Sequence, residues 1–165
     1  NPVKFFQNLK DVVIFTFSTS SSSASIPFTL KAAEEKYGID KSIGTFTVPL
    51  GATINMDGTA IMQGCATFFL ASLYGIDLGI NEIVTIVITA TIASIGTAGI
   101  PSAGIIMLTV IFTQIGIPLE GITLLLGVDR LLDMMRTSVN VSGDICISCV
   151  IASSENKINE SVFNS

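Results

Sequence analysis

The sequence predicts an all-α integral membrane protein, built as two re-entrant helical hairpins and two transmembrane helices in an inverted repeat. Three observations predict it. The 165 residues are 49% hydrophobic and only 13% charged, about half the charge of an ordinary soluble domain. Four apolar regions follow one another, and the first and third are broken in the middle by short polar tips. The last apolar region carries a stripe of charged residues on one helical face. A mean hydropathy of +0.71 excludes disorder. A net charge of −5 argues against nucleic-acid binding. With no His and three Cys, neither a His-containing zinc site nor a Ser-His-Asp site can be built from this chain.

The first region, residues 4–41, reads as a hairpin. Two apolar arms of about 10 to 14 residues flank Ser18–Pro27, where residues 18–25 hold seven hydroxyls. Arms of that length reach about halfway through a 30 Å hydrocarbon core. Lys4, Lys10, Lys31, Lys36 and Lys41 flank it, so both ends are expected on the cytoplasmic side. Residues 42–75 are long enough to cross, with an expected local unwinding at Asn55-Met56-Asp57-Gly58-Thr59, because Asn, Gly and Thr are poor helix-interior residues. Residues 81–117 repeat the hairpin pattern around Ser94–Gly104, which holds three Gly and one Pro in eleven residues. A single kinked spanning helix is the alternative there. Residues 119–152 form the second crossing, and 153–165 a cytoplasmic tail. Paired interrupted segments in two oppositely oriented halves, roughly 4–75 and 81–155, point to a binding site at the bilayer midplane. Absence of a leader and a start at Asn1 suggest the C-terminal part of a longer protein.

The candidate chemistry follows from cost. Asp129, Asp133, Arg136, Asn140 and Asp144 fall within a stripe of about 80° on one helix. Each charge at the bilayer centre costs about 2.5–3.5 kcal/mol, so the stripe must face protein or water. A structural ion-pair ladder, Asp133 with Arg136, is the plain alternative. Arg136 presents a fork suited to a carboxylate, and Asp133 suits an ammonium; an acidic amino acid has both groups. Unwound carbonyls beside Asp57 suit a hard cation, whereas a buried protonated Asp57 is the plain alternative. The serine tip leads into a helix N-terminus that favours an anion. The glycines of the second tip allow a hinged gate. The CxxC at Cys146 and Cys149, like Cys65, lies in an apolar pattern and is expected as small buried residues.

These motifs resemble the dicarboxylate/amino acid:cation symporter family. The matching residues are the serine tip followed by Ile26-Pro27, then Pro49–Thr59, Ser94–Gly104, Asp133-Met134-Met135-Arg136-Thr137 and Asn140-Val141-Ser142-Gly143-Asp144. The resemblance implies the core of an elevator-type transport domain, with hairpin 1, helix 7, hairpin 2 and helix 8 in order. It implies that Arg136, with Thr59 nearby, holds a substrate's side-chain carboxylate. Asp133 would bind the amino group, and Asn140, Thr137 and Ser22 the main carboxylate, with Ile100 and Gly104 of the second tip closing over it. One Na⁺ would use the carbonyls of Gly51, Asn55 and Asn140 with the Asp144 carboxylate. A second would use the carbonyls of Thr53, Ser94, Ile95 and Thr97. A third would use the side chains of Asn55 and Asp57, completed by residues from a helix outside this chain. Some acidic-substrate members carry an extra Arg; here Ser20 and Met134 stand instead, and Arg130 lies one turn earlier. The implied function is Na⁺-coupled symport of aspartate or glutamate by a homotrimer assembled through a scaffold outside this chain. H⁺ coupling, a C4-dicarboxylate or a neutral amino acid are alternatives within the family. A cation channel and a membrane-embedded enzyme are alternatives of other classes.

Overall fold

A computed structural model describes residues 2–164; Asn1 and Ser165, at the two ends of the expected organisation, lie outside the described residues. The order is α1 (Pro2–Thr19), α2 (Ser22–Glu35), α3 (Lys41–Ile54), α4 (Asp57–Leu73), α5 (Ile80–Ile95), α6 (Ala103–Ile115), α7 (Gly121–Ser154) and α8 (Glu160–Phe163). The protein is all-α: among the described residues, β pairing is an isolated bridge between Ile39 and Ile158.

Each break sits where the sequence disfavours helix. Ser20 takes a left-handed backbone, φ 51°, and Ser21 then caps α2 by accepting from the Ala24 amide at 3.1 Å. Gly96 ends α5, and Ser102, φ 62°, precedes α6. Asp40 caps α3 through the Ser42 amide at 2.9 Å. The 42–75 segment is two helices, parted at Asn55 and Met56. The arms flanking the tips run 18, 14, 16 and 13 residues. Two of them are longer than the 10 to 14 expected, because apolar periodicity continues past the charged residues that flank each region.

No helix among the described residues is long and apolar enough to cross a membrane by itself. The broken segment divides into 14 and 17 residues. The 34 residues of α7 supply length, but the charged stripe interrupts their apolar run.

Helix α7 is the central element and packs against α1, α2, α3, α4 and α6. Two apolar cores flank a polar seam. One joins α4, α5 and α6 to the first part of α7 through Leu70, Ile86, Leu108, Phe112 and Leu125. The other joins α1, α2 and α3 to the later part of α7 through Val12, Ala33, Val48, Val141 and Ile145. Each helix pair thus shares a core with one half of the broken segment and one half of α7. The described part of the tail, residues 153–164, folds back on the bundle. Asn159 N donates to Gly38 O at 2.7 Å and Asp40 N to Lys157 O at 3.0 Å. Gly38 has φ +64°, and a Cβ there would strike the Asn159 carbonyl.

The surface reverses the usual pattern. Ile80, Phe6, Phe46, Ile106 and Ile92 are large, apolar and well exposed, while Gln63, Thr67, Thr16, Ser25 and Ser148 are fully buried. The three cysteines depart from expectation: Cys65 and Cys146 are exposed and Cys149 is half-buried. On helices with apolar outer faces, small hydrophobic residues carry no information about which side is inside.

Candidate binding site and cation-binding residues

The two tips meet. Ser23 N donates to Gly99 O at 3.1 Å and Ser21 Oγ to the same oxygen at 2.8 Å. Beneath the contact lies a cavity of about 10 Å³ lined by Ser20, Ser22, Met56, Thr59, Thr97, Ala98, Gly99, Ile100, Gly104, Asp133, Arg136, Thr137 and Asn140. All eight residues expected to bind substrate are among them. Four helices, α2, α4, α6 and α7, and both tips contribute, so the site exists only when they are assembled.

Arg136 is 4% exposed. Its Nε donates to Asp133 Oδ1 at 2.8 Å, and Nη2 lies 2.8 Å from the same oxygen. The other Asp133 oxygen accepts from the Ser102 amide at 2.8 Å. The ion pair weighed as the plain alternative is therefore present. Nη1 makes no hydrogen bond, and Nη2 has only its ion pair with Asp133. Gly104 matters sterically: a Cβ there would overlap the Arg136 guanidinium and reach Thr59.

Asn140 has a role that spacing alone does not reveal. Its Oδ1 accepts from the amides of Gly58 at 2.7 Å and Thr59 at 3.3 Å, and Nδ2 donates to Thr59 Oγ1 at 3.2 Å. Met56, the N-cap residue of α4, provides no side-chain cap. Asn140 supplies from α7 the acceptor that the sequence of α4 lacks.

Asn55, Asp57 and Asp144 converge where α3, α4 and α7 touch. Asn55 Nδ2 donates to Asp144 Oδ1 at 2.9 Å and to Asn140 O at 3.3 Å. A Cβ on Gly51 would overlap the Asp144 carboxylate, and a Cβ on Gly143 would lie 2.7 Å from Asn55 Nδ2 and 2.9 Å from Asp57 Oδ2. Asp57 is exposed in this chain, in the first turn of α4. The second expected set is less assembled. Ser94, Ile95 and Thr97 sit at the end of α5, where Ser94 O already accepts from the amides of Gly96 and Thr97. Helix α3 meets this tip through Ala52, whose carbonyl would lie 2.9 Å from a Cβ on Gly99; the Thr53 side chain is exposed and donates to Pro49 O. Among the described residues no group of three or more acidic or cysteine side chains could hold a metal.

Arg130 is exposed and turned away from the cavity. Three contributors escaped the sequence reading. Gln63 is fully buried, and its Nε2 donates to Gly104 O at 3.1 Å; an amide inside the apolar run of α4 was the available signal. The Ser102 amide could have been anticipated from its place at a helix start. Met56 offered no signal.

Two polar tips thus close over a buried guanidinium and its carboxylates, and comparison with known proteins gives the family. The model of the sodium:dicarboxylate symporter family matches residues 1–154. The chain is 49% identical over 144 residues to excitatory amino acid transporter 3 of Mus musculus, covering 87% of this chain and 28% of that protein. It is 49% identical over 144 residues to excitatory amino acid transporter 1 of Rattus norvegicus, covering 87% and 26%. Against excitatory amino acid transporter 2 of Homo sapiens the identity is 49%, with 87% and 25% covered. The chain spans about a quarter of the length of these relatives. It belongs to the sodium:dicarboxylate symporter family.

Proposed function

We propose that this chain is the substrate-binding core of a secondary active symporter for acidic amino acids, aspartate or glutamate, coupled to Na⁺. The observation that carries the reading is the convergence of Ser22, Thr59, Ile100, Gly104, Asp133, Arg136, Thr137 and Asn140 on one cavity beneath two touching tips. The free Nη1 hydrogens of Arg136 suit the side-chain carboxylate of the substrate. Asp133 receives the ammonium. The hydroxyls of Ser22 and Thr137 and the amide of Asn140 receive the main carboxylate.

A cavity of about 10 Å³ holds no more than about one water, so an amino acid enters only when the tips part. The tip 96–104, with Gly96, Gly99 and a left-handed Ser102, acts as the gate. Na⁺ binds where Asp144, Asn55 and the carbonyls of Gly51 and Asn140 converge, the Asn55 amide turning its oxygen inward. Asn55 and Asp57 hold a second ion, and Thr53, Ser94, Ile95 and Thr97 a third once the tip settles on α3. The exposed apolar faces suit lipid and the rest of the protein, with the helix pairs re-entrant in a cell membrane and the C-terminus cytoplasmic. The whole core moves as an elevator against a scaffold formed by segments outside this chain, through which the protein is a homotrimer. The hydrogen-bonded tips disfavour a channel, which needs a continuous polar path.

The test is uptake of labelled L-aspartate by the full-length protein in proteoliposomes, under an inward Na⁺ gradient and then an inward H⁺ gradient. Uptake driven by Na⁺ is expected. Uptake driven only by H⁺ overturns the cation assignment. No uptake under either overturns the substrate, and a C4-dicarboxylate and a neutral amino acid are then the next substrates to assay.

A further inference from the structure

The two helix pairs differ at the ends away from their tips. For α5 and α6 the backbone bonds there are local among the described residues: Ile76 N to Ala71 O, Ile83 N to Gly79 O, and Gly116 N and Ile117 N to Phe112 O. The α1–α2 pair is instead tied to the far end of the chain. Asp40 N donates to Lys157 O, Asn159 N donates to Gly38 O, and Ile39 pairs with Ile158 between them.

The tie reaches both arms of the pair. Asn8 Nδ2, on α1, donates to the carbonyl of Lys36, the C-cap of α2, at 2.8 Å and to Phe163 O at 3.3 Å. One amide group thus joins α1, α2 and the tail. The Phe163 ring stands 6.1 Å from that of Tyr37. Tyr37 is fully buried and donates its hydroxyl to Phe5 O at 3.0 Å. Lys157 Nζ donates to Ser42 Oγ at the start of α3 at 2.9 Å. Ile158 and Phe163 pack on the core that α1, α2 and α3 share with α7. There is little slack. Asn156, φ 54°, reverses the chain straight after α7, and Lys157 N returns to Ala152 O at 2.7 Å.

A hairpin that swings as a gate bends at the end where its arms join the bundle. Swinging the α1–α2 pair would shear the paired backbone, the ring contact and the Asn8 bridge together. The α5–α6 pair bends on local turns alone. We propose that residues 157–163 are a strap that fastens the open end of the α1–α2 hairpin to the end of α7, making it the fixed jaw of the cavity and leaving α5–α6 to move. The inference rests on the reading of the two tips as closing over a substrate. The strap decides which tip gives way when the bonds to Gly99 O part, and it keeps Ser22 in place against Arg136 and Asn140 of α7.

The experiment is amide hydrogen exchange in the purified full-length protein at saturating Na⁺, with and without L-aspartate, for wild type, Asn159→Pro and Phe163→Ala. Residue 159 has φ −87°, which a proline ring accepts, and proline removes the amide that donates to Gly38 O. Phe163→Ala removes only the ring beside Tyr37. Neither touches α1 or α2. Without L-aspartate, exchange in α1 and α2 is expected to quicken at least about tenfold in Asn159→Pro and about threefold in Phe163→Ala, with α5 and α6 unchanged. With L-aspartate, wild type is expected to slow at 96–104 and hardly at all at 18–25. Asn159→Pro is expected to slow at both, because its first tip has gained motion to lose; a merely stabilising tail would leave that ligand response as in wild type. Wild-type rates in α1 and α2 of both variants overturn the proposal, as does equal quickening of all four helices. If Asn159→Pro gives no folded protein, Phe163→Ala decides by the same comparison. Wild-type exchange that does not respond to L-aspartate at 96–104 defeats the reading of the cavity and the fixed jaw with it. A wild type that responds, beside variants that match it, defeats the strap alone.

Discussion

Replacing Asn140 by Ala separates its structural work from any contact with substrate. The side-chain oxygen accepts from two amides at the start of α4, Gly58 at 2.7 Å and Thr59 at 3.3 Å. Losing an N-cap acceptor costs about 1 kcal/mol. Leaving a buried amide unpaired costs about 1–3 kcal/mol more, and Gly58 and Thr59 are both buried. The first turn of α4 should therefore open more easily by about 2–4 kcal/mol, a roughly 30-fold to 1,000-fold rise in the opening equilibrium. Amide hydrogen exchange reads this directly at Gly58, Thr59 and Ala60, with L-aspartate absent so that ligand contacts do not contribute. The amides of α5, which Asn140 does not touch, serve as the reference. Asn140→Asp retains an acceptor and should recover most of the protection. Unaltered exchange at Gly58 and Thr59 in Asn140→Ala would refute the capping role, and with it the view that α7 supplies what the break in the 42–75 segment removes.

Two further outcomes test other parts. Gly51→Ala places a methyl group against the Asp144 carboxylate and should raise the Na⁺ concentration for half-maximal uptake by at least about threefold; a Na⁺ titration that does not shift would remove Asp144 from the cation site. Asp40, outside the apolar segments, has its carboxyl held below the usual range by its hydrogen bonds to the Ser42 hydroxyl and amide, with Lys157 adding attraction. A lowered folded value means its contribution is complete above the unfolded value of about 3.9 and fades as pH falls through the folded one. Protection of the Ser42–Gly44 amides should therefore hold from pH 7 to about 5 and decline only below about 4; a decline near pH 6 would point to another group.

How far the sequence reveals this protein depends on the kind of signal. The two tips are legible because serine runs and Gly/Pro clusters interrupt apolar stretches, and the stripe on α7 because charges at helical spacing cannot face lipid. Arg136, Asp133 and Asp144 were singled out from their own side-chain chemistry. The resemblance to a family added Ile100 and Gly104, whose part depends on backbone position. What stayed hidden depends on contacts between distant segments. The cap that Asn140 gives α4 joins positions 82 apart. The exposed cysteines depend on which face of an apolar helix meets protein. The folded-back tail carried no periodic pattern; it is fixed by backbone bonds to distant residues, around a position where only glycine fits.

The contact between the tips has a consequence for how its strength can be adjusted. One oxygen, that of Gly99, takes both donors, Ser21 Oγ and Ser23 N. A movement of the 96–104 segment that withdraws this oxygen stretches both bonds together. Residue 99 cannot itself be varied to tune that contact, because any side chain there would collide with Ser23 and the Ala52 carbonyl. The adjustable component is the hydroxyl of Ser21. Under the proposed gating, a change in α2's cap residue is expected to alter the timing of a segment 78 positions away.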